Sequence, residues 1–363
     1  LDSTAYTNSV YSNTIATSSN FGYGIYLSTT AYDNSVYNNT ITTSGTLGYG
    51  VFLQTTAYKN SVYSNTITTN NTKSYGIYLN QNAYNNTIYD NNITTKNTTG
   101  SYGIYLLRNV NNNTFYSNTI SSLAIGILVN GSSAQTTRFN TFTNDTIVPC
   151  TAGCADNYYD IVLTSNVTDI TLLNVSFNKS RVAIVPRDPG VPTEVNNLTV
   201  QWYLDVNVTN STNNRPISEA WVMINDTFDN VIFNSSTDSE GGIPLQVVTE
   251  FTMNGSNVNG SYLFAHGTDT CIGILSKNIT CFTPYNISVN FTGYNAYDRS
   301  VDMNRSKFLN ISLVIITIAD TTRPVVNTSL NKSLSNINQN DVINLTANIT
   351  DDTGLSFCQI IIN

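Results

Sequence analysis

Between Gly22 and Val129 the chain repeats one phrase of roughly 26 residues, a period in the solenoid range. The copies read GYGIYLSTTAYDNSVYNNTITTSGTL, GYGVFLQTTAYKNSVYSNTITTNNTK, SYGIYLNQNAYNNTIYDNNITTKNTTG and SYGIYLLRNVNNNTFYSNTISSLA. Gly24, Gly50, Gly76, Gly103 and Gly126 anchor them. No single copy can bury its own apolar face, so the copies must stack. Within a copy, apolar and polar residues alternate with the period of a strand. Ile25 and Leu27 share one face and Tyr26 takes the other; Val51/Leu53 with Phe52, Ile77/Leu79 with Tyr78, and Ile104/Leu106 with Tyr105 repeat the arrangement.

Two further columns follow the same register. One runs Val10, Val36, Val62, Ile88, Phe115, Phe142, and the other Ile15, Ile41, Ile67, Ile93, Ile120, Ile147. Each copy therefore supplies two or three strands, each paired to its counterpart one rung away at about 4.8 Å. No stretch of helix formers competes among these Asn, Thr, Ser and β-branched residues. Asparagine also recurs in register: Asn13, Asn39, Asn65, Asn91 and Asn118 lead to Asp145, and Asn8, Asn34, Asn60, Asn86, Asn113 and Asn140 form a second column. A stacked amide can donate to one rung and accept from the other, satisfying turn groups that are otherwise buried unpaired.

The Y-G-I-Y-L and N-T-I-Y-x-N-x-I phrases resemble the right-handed parallel β-helix repeats of the pectate-lyase-like superfamily, particularly repeat-rich surface proteins of archaea and bacteria. The resemblance covers about the first half of the chain and speaks to fold more than to function. Farther on, Val200, Trp202, Leu204, Val206 and Val208 alternate with polar residues as in a half-buried strand. RPISEAWVMIND, the turn STDSEGG and IPLQVV resemble a carboxypeptidase-regulatory, transthyretin-like β-sandwich, with later strands expected over 286–291 and 308–318. DTTRPVVNTSL and DVINLTANITDDTGL are similar to the opening of immunoglobulin-like repeats.

The expected architecture is all-β: a right-handed parallel β-helix over 1–188, a sandwich over 195–318, and an immunoglobulin-like domain over 319–363 that is incomplete or completed by another chain. Pro186, Pro189 and Pro192 mark a stiff boundary after the helix, which is expected to end near Val185. Leu1 to Phe21 form a rung already in progress, implying upstream sequence or a neighbouring subunit.

Charged residues are only 10% of the 363, against about 25% in ordinary domains. A net charge of -8 argues against nucleic acid as a partner. No apolar window of about 18 residues is present to span a membrane. N-x-S/T sequons at Asn97, Asn130, Asn166, Asn207, Asn234, Asn278, Asn290, Asn310 and Asn344 are candidate glycosylation sites of a secreted chain. Of five cysteines, Cys150 with Cys154 and Cys271 with Cys281 are expected as local disulfides of an oxidising compartment; Cys358 is left over.

A polysaccharide lyase or hydrolase of this class needs acidic residues stacked on one face across rungs. The equivalent column here reads Thr7, Asp33, Lys59, Asn85, Asn112, where Asp33 and Lys59 are expected as a cross-rung ion pair. The densest remaining group, Asp156, Asp160, Asp169, Arg181, Arg187 and Asp188, is the best remaining place for an active site or a bound cation, and is read in preference as loop charges on a solvated cap. Zinc needs four ligands and copper Met and His, whereas the chain has three Met and a single histidine, His266. No cofactor is expected; calcium at the Asp238–Glu240 turn is the one left open.

Tyrosine is what the repeats display. Tyr11, Tyr37, Tyr63, Tyr89 and Tyr116 form one column, Tyr6, Tyr32, Tyr58 and Tyr84 a second, and Tyr26, Phe52, Tyr78 and Tyr105 a third. Such ladders stiffen the stack and offer a charge-poor lateral surface. The expected function is that of a non-catalytic extracellular structural protein, a subunit of a cell-surface layer, appendage or filament that self-associates into a polymer or lattice. A carbohydrate-binding adhesin and a β-helix polysaccharide lyase or hydrolase are the alternatives.

Overall fold

A computed structural model describes residues 1–132, 134–156, 158–185, 196–255 and 279–316, together with the backbone of strands Val325–Leu330 and Leu345–Thr350. Residues Leu1–Val314 form one compact unit and Ile315–Asn363 another. In the second, the two strands pair antiparallel, from Val325 opposite Thr350 to Leu330 opposite Leu345. No helix among the described residues is long and apolar enough to cross a membrane.

The first unit begins as a parallel β-helix. Each turn of the coil lays one strand into each of three sheets. The first sheet stacks Ser9–Tyr11, Ser35–Tyr37, Ser61–Tyr63, Thr87–Tyr89, Thr114–Tyr116 and Thr141–Thr143. The second stacks Thr14–Thr17 through Thr146–Val148, and the third Ile25–Leu27 through Val182–Val185. Equivalent residues pair one to one, as in Val10, Val36, Val62, Ile88, Phe115 and Phe142. From the second turn onward these columns are fully buried, along with Ile41, Ile67, Ile93, Ile120, Leu27, Leu53, Leu79 and Leu106.

The tight corners explain the asparagine columns. Thr7, Asp33, Lys59, Asn85 and Asn112 bend the chain through the left-handed region, with φ between 52° and 56°, a conformation costing L-residues on the order of 1–2 kcal/mol. The next residue in each case is a ladder asparagine. Asn65, in the other ladder, shows what such a residue returns: its Oδ1 accepts from the main-chain N and the Nδ2 of Asn39, both at 3.0 Å. Its Nδ2 donates to Asn91 Oδ1 at 3.0 Å and to the carbonyls of Val36 and Tyr63 at 2.9 Å. Every polar atom of the side chain is used, so the strained corners are fixed without leaving buried groups unpaired.

The glycine column answers a different demand. A Cβ on Gly24, Gly50, Gly76 or Gly103 lies 2.2–2.3 Å from Cγ2 of Ile41, Ile67, Ile93 or Ile120. Only hydrogen fits beneath that isoleucine.

The first sheet does not stop where the coil does. Strand Val167–Leu173 pairs in parallel with the 15-residue strand Asn196–Asn210. The lower half of this long strand thus completes the helix, while its upper half, from Leu204 to Asn210, pairs in parallel with Lys307–Leu313. Gln246–Asn254 joins it antiparallel. A separate antiparallel sheet follows the order Val231–Ser236, Trp221–Asn225, Tyr285–Asn290, Tyr297–Val301. Its inward residues Val222, Ile224, Ile287 and Val289 share one buried apolar cluster with Val200, Leu204, Val206 and Val208 of the long strand. The smaller antiparallel sheets are thus consistent with a β-sandwich whose core continues that of the coil. Pro186, Pro189 and Pro192 lie outside the described residues.

Candidate functional site: aromatic ladders and a buried junction

The third tyrosine column is not a surface feature. Phe52, Tyr78 and Tyr105 are only 4%, 6% and 8% exposed. They are covered by a column the repeat pattern left unexplained, Tyr23, Tyr49, Tyr75 and Tyr102, which comes from the tyrosine just before each anchoring glycine. Rings stack within each column at 4.7–5.0 Å and meet edge to face between columns, with planes 70–76° apart. The coil therefore carries a second apolar core outside its third sheet, continued by Leu128, Val162 and Ala183. Burial pushes the phenols of Tyr49 and Tyr105 up to about 12 and those of Tyr75 and Tyr78 up as well, so all four stay neutral donors at ordinary pH.

The other two ladders reach solvent. Tyr11, Tyr37, Tyr63, Tyr89 and Tyr116 stack with ring centres 4.6–5.0 Å apart and planes within 11°. Tyr6, Tyr32, Tyr58 and Tyr84 stack at 5.1–5.3 Å. Because each face is spent on its neighbour, what the ladders offer is a row of ring edges and hydroxyls.

The acidic candidates do not gather. Asp33 and Lys59 occupy exposed corners and make no ion pair; among the described residues the ion pair is Lys179 with Glu250. The Asp33–Lys59 expectation fails at exposed corners, where solvent screens the attraction and the entropy of two free side chains opposes fixing them in one geometry. Asp156 and Asp169 are exposed, and Arg187 and Asp188 lie outside the described residues. Asp160 is buried at the register position of the anchoring glycines, pairing one rung beyond Gly126. Its Oδ1 accepts from Tyr158 Oη at 2.5 Å and its Oδ2 from Asn178 N at 2.6 Å. Tyr158 Oη in turn accepts from Cys150 N at 2.9 Å, and Arg181 lies over its ring. Burial pushes the Asp160 carboxyl up, against these hydrogen bonds and Arg181. This clasp holds the insertion closed by the Cys150–Cys154 disulfide. Cys281 is also disulfide-bonded, while Cys271, Cys358 and His266 lie outside the described residues.

Of the sequons, Asn234, Asn290 and Asn310 are exposed; Asn97, Asn130, Asn166 and Asn207 are half-buried. The Asn130 and Asn166 amides already donate to Tyr105 Oη and Thr136 Oγ1. Asn278 and Asn344 lie outside the described residues. At the Asp238–Glu240 turn, Asp238 Oδ1 accepts from the main-chain N of Glu240 and Gly242, both at 2.9 Å, so the carboxylate is used to close its own turn.

Where the coil meets the long strand lies a group that sequence reading did not reach. Lys179, in the short 3-10 turn Lys179–Arg181, donates to Glu250 Oε1 at 2.5 Å and to the main-chain O of Asn304 at 3.2 Å. Trp202 Nε1 donates to Glu250 Oε2 at 2.6 Å, and its ring faces the ammonium. The Lys179 and Glu250 side chains are 8% and 0% exposed. Burial pushes the Glu250 carboxyl up, and the neighbouring Lys179 ammonium and Trp202 oppose it. Beside them opens a cavity of about 400 Å³ lined by Asn174, Phe177, Lys179, Trp202, Asn304 and Arg305 among others. Residues separated by 71 and 125 positions meet here once, so no periodicity announces them.

Residues 1–177 match the family described as "Periplasmic copper-binding protein (NosD)", just under half of the chain. The match agrees with a right-handed parallel β-solenoid. No curated protein matches the chain. The donors for copper do not fit: the described residues contain no group of three or more His, Cys, Asp or Glu able to hold a metal, and Met253 and Met303 are spent in the apolar core.

Proposed function

We propose that this chain is a non-catalytic structural protein of the cell exterior, a rod-like subunit of a surface layer, appendage or filament that associates with copies of itself. The observation that carries the reading is the uninterrupted register of the coil. Asparagine ladders, aliphatic columns and two layers of stacked rings repeat rung after rung, which stiffens a solenoid. Its flanks are nearly free of charge, so little repulsion opposes lateral packing. On this reading residues 1–188 are the rod, 195–318 a transthyretin-like sandwich and 319–363 part of an immunoglobulin-like module.

The adhesin alternative draws less support. Sugars stack on aromatic faces, and the exposed ladders present edges. Electron microscopy of native material tests the proposal: fibres or a lattice are expected, and monodisperse single particles at high protein concentration overturn it. Glycan binding lost on Tyr37→Ala or Tyr63→Ala favours the adhesin, and turnover of an acidic polysaccharide abolished at Asp160 or Arg181 favours the enzyme.

A further inference from the structure

The outer face of the four-stranded antiparallel sheet carries a pattern that the fold does not require. Strand Trp221–Asn225 runs between Val231–Ser236 on one side and Tyr285–Asn290 on the other. Val222 and Ile224 belong to the core, so Trp221, Met223 and Asn225 share the opposite face with their cross-strand partners. Trp221 stands opposite Asn290 and Ser236, Met223 opposite Asn234 and Ser288, and Asn225 opposite Asn286. Each of these four asparagines opens an N-x-S/T sequon: Asn225-Asp226-Thr227, Asn234-Ser235-Ser236, Asn286-Ile287-Ser288 and Asn290-Phe291-Thr292. Two of the four are engaged. Asn225 is half-buried with its Oδ1 closed off from solvent. Asn286 Oδ1 accepts from Ser300 Oγ at 2.6 Å, while Ser288, the hydroxyl of its sequon, donates to Asp298 Oδ1 at 3.2 Å. Asn234 and Asn290 are exposed, and no hydrogen bond among the described residues holds either amide.

We propose that Asn234 and Asn290 are N-glycosylated and that the first sugar on Asn290 packs against the Trp221 indole. Both sequons are open to a modifying enzyme. Val231–Ser236 is an edge strand of its sheet, where alternation sets Asn234 and Ser236 on the same face. Asn290 is the last residue of its strand, and its sequon runs into the turn Phe291–Tyr294, closed by Tyr294 N donating to Phe291 O at 3.1 Å with Gly293 at φ 85°. The co-reactant is an oligosaccharide linked to a polyprenyl phosphate, the substrate class of oligosaccharyl transferases that act on exported chains. The asparagine Nδ2 attacks the anomeric carbon, a C–N bond forms, and the bond from that carbon to the phosphate oxygen breaks, its electron pair leaving on the phosphate. One of the two amide protons passes to the transferase, and the other stays on the glycosylated amide.

Trp221 supplies the seat. It is 49% exposed and, with the half-buried Met223, forms an apolar strip that runs between the two free sequons. Directly opposite residues of antiparallel strands hold their Cβ atoms about 4.5–5.5 Å apart, which leaves the indole within reach of a sugar on Asn290. The C–H face of a pyranose carries partial positive charge and the face of the indole partial negative charge, so the sugar shields the ring from water. A face so covered is closed to lateral packing of neighbouring chains. The inference needs an exported chain but does not rest on the structural-subunit reading: a monomer can carry these glycans, and a filament can form without them.

The test is peptide mapping by mass spectrometry of the full chain from its own cells, with the sugars left on. The Asn234 and Asn290 peptides are expected to carry glycan; a bare peptide at either position overturns the assignment there and needs no variant to fold. The seat on Trp221 is read from tryptophan fluorescence, since the chain has two tryptophans and Trp202 is only 6% exposed. Acrylamide should quench the Trp221 emission about twofold less in the glycosylated chain than in Asn290→Gln, because one sugar covers one ring face. Thr292→Val, which removes the sequon and keeps Asn290, should quench like Asn290→Gln, and Trp221→Phe should abolish the quenchable component. A glycan at Asn290 with quenching unchanged in Asn290→Gln and Thr292→Val overturns the packing. A monomeric chain that carries both glycans leaves this inference standing while the subunit reading fails.

Discussion

The coil and the junction above it solve the same problem, burying polar backbone and side chains, by opposite means. In the coil each interaction is cheap and copied: Asn39, Asn65 and Asn91 make the same bonds to the same neighbours, and no ion pair occurs among the described residues between Leu1 and Val148. At the junction a single lysine, glutamate, tryptophan and asparagine meet from four separate stretches of chain. Repetition confines a defect to nearest neighbours, whereas a unique network passes it to every element that meets there. The two regions should therefore fail differently.

The largest effect is expected from interrupting a ladder. Asn65→Leu leaves the main-chain N of Asn39 without its acceptor, takes one acceptor from Asn39 Nδ2 and one donor each from the carbonyls of Val36 and Tyr63, and puts a branched side chain into a corner shaped for an amide, so a loss on the order of 5 kcal/mol should appear in denaturant unfolding. Hydrogen exchange should loosen the two adjoining rungs first. A ladder variant that leaves those rungs protected contradicts the contrast.

Large-to-small core changes sharpen it. Phe251→Ala should cost about 3–5 kcal/mol and Ile67→Ala about 2–5. Exchange after Phe251→Ala should spread through the long strand and both sheets flanking it, while Ile67→Ala stays local. Equal spreading in both would erase the distinction.

Asp145 ends one asparagine ladder, receiving both donors of Asn118 on Oδ1 while its Oδ2 is buried without a partner. Burial lifts its carboxyl from the ordinary 3.8 to about 7. The folded chain therefore holds a proton that the unfolded chain has released, and stability falls as pH rises from about 4 to about 7, by at most about 4 kcal/mol. Asp145→Asn should remove that slope and stabilise the chain by about 2–4 kcal/mol at pH 8, as read from unfolding midpoints across the pH range. A smaller effect, about 1 kcal/mol, is expected for Tyr63→Ala, which opens one gap in an exposed ladder.

What could be read in advance follows the same division. The columns through Val62 and Ile67, and the Asn65 ladder, were legible because stacking turns sequence spacing into contact. Phe52 and Tyr78 were assigned to the surface because alternation points them away from the lumen. What alternation does not convey is that Tyr49 and Tyr75, each three positions upstream, fold back over them. The strand from Val200 to Val208 was visible, but not that its lower half belongs to the coil, since pairing with Val167–Leu173 depends on partners and not on pattern. Lys179 and Glu250 carried no signal at all: one residue of each kind, far apart, looks like any other pair of charges.

The long strand has a mechanical corollary. Being shared by the coil and the upper sheet, it leaves no linker at which the two could swivel. A pull along it loads its backbone bonds side by side, all at once, in place of unzipping them one after another. Whatever grips the upper sheet is thereby levered by the coil itself.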